Sequence, residues 1–186
     1  MTTYRAALLA HYEHQFSASV WSRRWHEPPN PSLPPLPAEF EVRKYKRSEG
    51  TAVYATVCMS ADDEPTPLEL HIIGAADEAT GARSVFLLTV TAHFHRTGRT
   101  LDLGHTVNFG EPWVRGGACS RGLISRPYLD GQEFEREPMR GICCGWLLPV
   151  TDSEVNYKVE FGLEALESKF EAAQMNALDW ARPAVA

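Results

Sequence analysis

Residues 142–170 constrain the fold of this chain more than any other stretch. Ile142 to Leu148 is an apolar run of strand length, and Pro149 stops it because proline donates nothing to a ladder. Thr151 and Glu154 then stand at capping-box spacing. The hydroxyl can accept from one free amide of a helical turn while the carboxylate reaches back to another. After Gly162, Leu163, Leu166, Phe170, Ala173 and Ala177 form a helical stripe that ends before Pro183. The segment reads as core strand, proline stop, capped turn and packed helix.

Upstream, Tyr4, Leu8, Tyr12 and Phe16 recur every four residues and predict an N-terminal helix, with Trp21 and Trp25 extending its apolar content. Pro28, Pro29, Pro31, Pro34, Pro35 and Pro37 then define an extended connector that can build neither helix nor ladder. A strap over the domain surface is the plain reading; Pro34 to Pro37 also has the form of a polyproline ligand. Strands are predicted over 40–47 and 51–59, joined by the turn-like Ser48-Glu49-Gly50. The second is apolar on both faces and belongs in the middle of a sheet. Another strand over 68–73 turns Leu68, Leu70 and Ile72 one way and Glu69 and His71 the other, where a solvent-facing polar edge explains the latter pair. Downstream of a glycine-rich loop over 98–117, with a short strand near 106–109, come strands at 123–128 and 141–148. Residues 83–96 fit either period: Phe86, Leu88, Val90, Ala92 and Phe94 alternate as in a strand, while Phe86 or Leu87, Val90 and Phe94 also fit a helix, and the β-branched content tips the local pattern toward strand.

That ambiguity decides the most tempting chemistry. On a strand, His93 and His95 share a face and could hold zinc or copper with His105 as third ligand. On a helix they stand about 200° apart and cannot chelate. Cys143 and Cys144 lie in an apolar run, where strand neighbours point to opposite faces, so they neither share a ligand nor form a disulfide easily. Glu69 with His71 is a conceivable acid/base pair, and Asp62-Asp63-Glu64 a conceivable cation loop lacking calcium-loop spacing. The sequence has no nucleophile elbow, phosphate loop or dinucleotide fingerprint. It assigns no catalytic residue, no cofactor and no metal.

The 186 residues suit one domain, large enough to bury roughly 70% of its unfolded surface without metal or disulfide. A net charge of −6, from 18 basic and 24 acidic residues, disfavours generic nucleic-acid binding. Neither a signal peptide nor a run of roughly 18 apolar residues is visible, so a cytoplasmic protein with four reduced cysteines and no membrane contact is expected.

Four segments, in order, resemble the Suppressor of fused domain family in its short bacterial form. They are Ala52-Val-Tyr-Ala-Thr-Val-Cys-Met-Ser60, Leu68-Glu-Leu-His71, Gly104-His-Thr-Val-Asn-Phe-Gly-Glu-Pro112, and Trp146-Leu-Leu-Pro-Val-Thr-Asp-Ser-Glu154 running into Gly162-Leu-Glu-Ala-Leu166. The resemblance spans roughly residues 40 to 170 and leaves out the proline-rich connector and the Trp21/Trp25 region. It implies a single α+β domain whose mixed or antiparallel sheet is packed by helices, and a helix before Gly104, which removes the His93/His95 chelate. The expected organisation is an N-terminal helix region over 1–27, a connector over 28–38 and the α+β domain over 39–182, with the helix packed into the same globular unit.

The family also implies stoichiometric binding rather than catalysis. Animal relatives grip a transcription-factor peptide partly by strand addition, and short bacterial relatives are commonly proposed as immunity proteins that neutralise polymorphic toxins. The expectation is therefore a non-enzymatic binder of a toxin domain, with a sheet-edge binder of a regulatory peptide as the second reading and a metal-dependent hydrolase at His93, His95 and His105 as the third. Glu111 and Trp113 in the glycine-rich loop, with Glu154 and Tyr157 beside the capped turn, are the candidate partner contacts. Their plain structural roles are a helix cap for Glu154 and core margin for Trp113.

Overall fold

The computed structural model describes residues 3–24, 33, 35–97 and 100–186. Trp25, Pro28, Pro29, Pro31 and Pro34 lie outside them, as does most of the expected connector. The fold is α+β: among the described residues a seven-stranded mixed sheet in the order β1-β2-β3-β4-β7-β6-β5 is accompanied by four helices. The chain forms two compact units, residues 1–103 with 126–146, and residues 104–125 with 147–186.

In the first unit, β1 (Ser19–Arg23), β2 (Glu41–Ser48), β3 (Thr51–Val57) and β4 (Leu68–Ala75) pair antiparallel in succession, and β4 pairs parallel with the start of β7 (Cys143–Val150). The strand at Ser19–Arg23 falls where the sequence suggested only a continuation of the apolar N-terminal region. The 48–50 turn closes the β2–β3 hairpin with Gly50 at φ 74°, a left-handed conformation that glycine adopts without steric cost.

Register explains the layering. Tyr45, Val53 and Ile73 stand side by side across three strands, as do Arg43, Ala55 and His71, and β7 adds Cys144 beside Glu69 and Trp146 beside His71. Helix α1 (Tyr4–Phe16) covers that face with its apolar stripe: Tyr4, Leu8, Tyr12 and Phe16 are all buried. Phe16 meets Tyr45 and His71, and Tyr12 meets Tyr45 edge-on with centroids 5.8 Å apart. Tyr54 projects from the opposite face and touches α2 (Glu78–Arg96) at Gly81, where a Cβ would lie 3.4 Å from its ring. Both faces are therefore covered, which corrects the solvent-edge reading of Glu69 and His71: they are 0% and 1% exposed.

Residues 83–96 belong to α2, as the family resemblance implied. Asp77 caps the helix through the Thr80 amide at 2.8 Å. Three of the β-branched residues that favoured a strand, Val85, Thr89 and Thr91, are buried by the helix, whose packing outweighs their propensity; Thr91 satisfies its hydroxyl on the Leu87 carbonyl at 2.8 Å.

In the second unit, β5 (Thr106–Asn108) pairs antiparallel with β6 (Arg121–Ser125), and the end of β7 leads into α3 (Asp152–Phe161) and α4 (Leu163–Ala172). The predicted capping box is present: Glu154 N donates to Thr151 Oγ1 and Thr151 N donates to Glu154 Oε2. What read as a capped turn is thus a ten-residue helix, ended by Gly162 at φ 93°. Helix α4 stops at Ala172, before Ala177, because the backbone turns left-handed at Gln174. A Cβ on Gly122 would lie 2.8 Å from Leu147 Cδ1 and 3.0 Å from Phe109 Cε2. Gly122→Ala is therefore expected to cost about 1–3 kcal/mol by overpacking, measured as a lower urea midpoint.

Candidate functional site

Three buried polar groups in the first unit offer the residue types of catalysis. Glu69 accepts from Tyr4 Oη at 2.7 Å, Thr56 Oγ1 at 2.6 Å and Met59 N at 2.8 Å. The arrangement arises where the β3–β4 ladder ends at Ala55 and His71. There Thr56 Oγ1 takes the Leu70 N–H at 2.9 Å, and Cys58 adopts φ 62°, turning the Met59 amide inward. Burial raises the Glu69 carboxyl to about 7, against the opposing pull of these donors. Burial also pushes up the Cys144 thiol, and likewise Cys143 and Cys58, the last to about 12, so none is set up as a thiolate nucleophile.

Ser60, His95 and Glu64 superficially make a hydrolytic triad, but the hydrogen-bond sense is wrong. The Leu101 amide donates to His95 Nδ1 at 3.1 Å, which places the proton of the neutral ring on Nε2. Both Ser60 Oγ, at 3.0 Å, and Glu64 Oε2, at 2.9 Å, face that same Nε2. The ring therefore cannot take a proton from Ser60, whose hydroxyl is already engaged by the Leu68 amide and carbonyl. The trio instead ties α2 to the loop after β3. Glu64, from the conceivable cation loop at 62–64, folds back on His95 and on the Ala61 amide.

His93 and His95 are both buried in α2, and helical spacing turns them apart, while His105 is an exposed residue of the second unit. Among the described residues no group of three His, Cys, Asp or Glu side chains could hold a metal ion. The other buried imidazole, His71, has its Nε2 3.0 Å from Asp130 Oδ2. Trp146 stacks parallel to it at 6.4 Å and Phe134 meets it edge-on at 5.3 Å. Asp130 also pairs with Arg47. Burial works to raise the Asp130 carboxyl, but His71 and Arg47 outweigh it and hold it below its ordinary range.

The four candidate partner contacts all belong to the second unit, and burial divides them. Trp113 is 1% exposed and packs edge-on against Phe109 and Trp180, with centroids 5.9 Å and 5.2 Å away. Glu154 is 0% exposed. Beyond the capping box it takes both arms of Arg182, at 2.6 Å and 2.9 Å, and the Val185 amide at 3.0 Å. Neither side chain presents surface, so direct contact gives way to packing for Trp113 and to capping and pairing for Glu154. Glu111 is exposed on the 109–120 loop and Tyr157 is half-buried on α3. Arg182 and Phe161 escaped the sequence reading. Arg182 lies in a tail without periodicity, and a phenylalanine four residues after a tyrosine reads as core until burial is known.

No family model matches the sequence, and no curated protein does either. Solved structures do match. A Suppressor of fused homologue from Neisseria gonorrhoeae superposes with a TM-score of 0.76 at 26% identity, over 98% of this chain and 97% of the other. A chain from the Sufu–Fu complex gives 0.66 at 11% identity, over 99% and 93%. Drosophila Suppressor of Fused gives 0.60 at 12% identity; 96% of this chain aligns with 49% of that one, so this chain spans about half its length. The last two show the fold alone. No helix among the described residues is long and apolar enough to cross a membrane.

Proposed function

We propose that this chain, a Suppressor of fused-like domain of the short form, acts by stoichiometric protein binding as an immunity protein that blocks a toxin domain. The observation that carries this reading is its fold, which it shares with a chain solved in complex with Fu. The site chemistry is consistent with it: the buried serine, histidine and cysteines are tied into packing or held protonated rather than poised for reaction. Glu111 and Tyr157 are the proposed contacts, and Trp113 and Glu154 stiffen the loop and helix that carry them. Inhibition would follow from steric occlusion. A net charge of −6 would speed encounter with a basic toxin.

The test is co-expression with the toxin-like product of the adjacent gene. The expected result is a one-to-one complex that abolishes toxicity, and failure of every neighbouring toxin-like product to bind sinks the immunity reading. A second reading, a regulatory peptide added as a strand, is favoured by β1. That strand ends the sheet order and holds Val20 60% exposed. Charged substitution at Val20 weakens binding under this reading and leaves it unchanged under the first.

A further inference from the structure

We infer that the C-terminal end of α3, with the adjoining α4, is a docking surface for a basic protein surface, anchored by Tyr157 and Phe161 on an acidic helix pair. This deepens the binding reading above and rests on it for the biological role of the partner.

Helix α3 is inverted relative to an ordinary surface helix. Its one buried residue is the carboxylate Glu154, while Val159 and Phe161 are 78% and 55% exposed. A helix that needed its apolar residues only for folding would bury them. Tyr157 and Phe161, one helical turn apart, pack with centroids 4.6 Å apart and ring planes tilted by 40°, and Lys169 Nζ of α4 sits 5.4 Å from the Tyr157 ring. The aromatic pair is thus held in place before any partner arrives, which lowers the ordering cost of binding.

The surrounding charge indicates the partner. Helices α3 and α4 carry six carboxylates and two lysines. Glu154 is spent on Arg182, and Asp152 pairs with Arg121 at 2.6 Å. Lys158 turns inward to the Gly104 carbonyl, where burial lowers its pKa, and Lys169 lies over Tyr157. The exposed charge of the two helices outside these pairings is Glu160, Glu164 and Glu171 against Lys169, with Glu167 half-buried, an excess of carboxylate. An aromatic pair on a helix pair with excess carboxylate complements a surface that presents apolar side chains among lysines and arginines.

The probe is a synthetic amphipathic helix of lysine and leucine, titrated into the isotopically labelled full chain at low ionic strength. Amide shifts are expected to concentrate at residues 155–171, and the affinity should fall about tenfold in Tyr157→Ala/Phe161→Ala, which leaves the charge untouched. Glu160→Lys/Glu164→Lys, at two exposed positions, should weaken binding by a similar factor and flatten its salt dependence. Shifts spread over other acidic regions, no shifts at all, or equal binding by both variants overturns the surface. The adjacent toxin-like product separates the two proposals. If it binds wild type and both variants equally, the docking surface is refuted and the immunity function stands. If the peptide docks as described while that product does not bind, the docking surface stands and the immunity function falls.

Discussion

Arg182→Ala is expected to destabilise the protein by about 3–5 kcal/mol, because it strands the Glu154 carboxylate in an interior that no cation then balances. Arg182 and Glu154 are 4% and 0% exposed, and the guanidinium also donates to the Pro149 carbonyl at 2.8 Å and lies over Phe170. Removing it disconnects the end of β7, the start of α3 and the C-terminal tail together. The tail has a second hold on the same unit through Trp180 against Trp113, and a Cβ on Gly117 would come within 3.1 Å of the Trp180 carbonyl. Urea unfolding measures the loss, and hydrogen exchange at the Thr151 and Val185 amides locates it. Glu154→Gln with Arg182→Met removes both charges at similar volume and keeps an acceptor for the cap. It is expected to recover most of the loss, since buried pairs contribute little net stability once both partners are gone. An Arg182→Ala loss under about 1 kcal/mol would mean that water reaches the carboxylate and that burial is not its governing feature.

The second large effect is a rise in stability on mild acidification, centred on Glu69. Its folded-state value, about 7, lies above the ordinary 4.5, so the folded state binds the proton more tightly than the unfolded chain. The resulting stabilisation is fully present below about pH 4.5 and is lost as pH rises through 7. It amounts to roughly 3 kcal/mol between those limits. Glu154, Asp130, Glu41 and Glu64 act in the opposite sense. Burial tends to raise each, but hydrogen bonds and cationic partners win and hold the folded-state values low. Their contribution is present above the ordinary carboxyl range and lost as pH falls through it. Stability is therefore expected to peak near pH 5 and decline on both sides, as read from urea midpoints across pH.

Glu69→Gln isolates the first limb of that profile. Its amide oxygen can keep the Tyr4 and Met59 donors, and its nitrogen can donate to Thr56 Oγ1, whose own proton can turn to the Leu70 carbonyl 3.2 Å away. The variant should lose the decline between pH 5 and 8 while remaining folded. Glu69→Ala should instead cost roughly 3–5 kcal/mol at every pH, by leaving a cavity and orphaning the buried Tyr4 hydroxyl and Met59 amide. An unchanged slope in Glu69→Gln would assign the titration to another group.

The helix stripe of α1 and the capping box at 151–154 were legible from the sequence because both are set by local spacing. Periodicity selects the buried side of a helix, and a hydroxyl three residues from a carboxylate can satisfy two free amides without help from the rest of the chain. The 83–96 segment shows where local pattern stops: both periods fit, and the ordered motifs of the family resemblance favoured helix. Burial on the second face of β4 was hidden because Glu69 and His71 look like solvent residues until α1 lies over them with Tyr4 and Phe16. The partner contacts divided for the same reason. Glu111, Trp113, Glu154 and Tyr157 share the amphipathic chemistry of interfaces, yet the Arg182 tail and the Phe109–Trp180 packing bury two of them. The sheet-forming segments of the core and the capping box at 151–154 were written in near-neighbour geometry, where the order of residues is enough, while the α+β class followed from the ordered motifs of the family resemblance. Which polar groups face water was settled in three dimensions, because burial depends on residues as far apart as Glu154 and Arg182, or Tyr4 and Glu69, meeting across the fold.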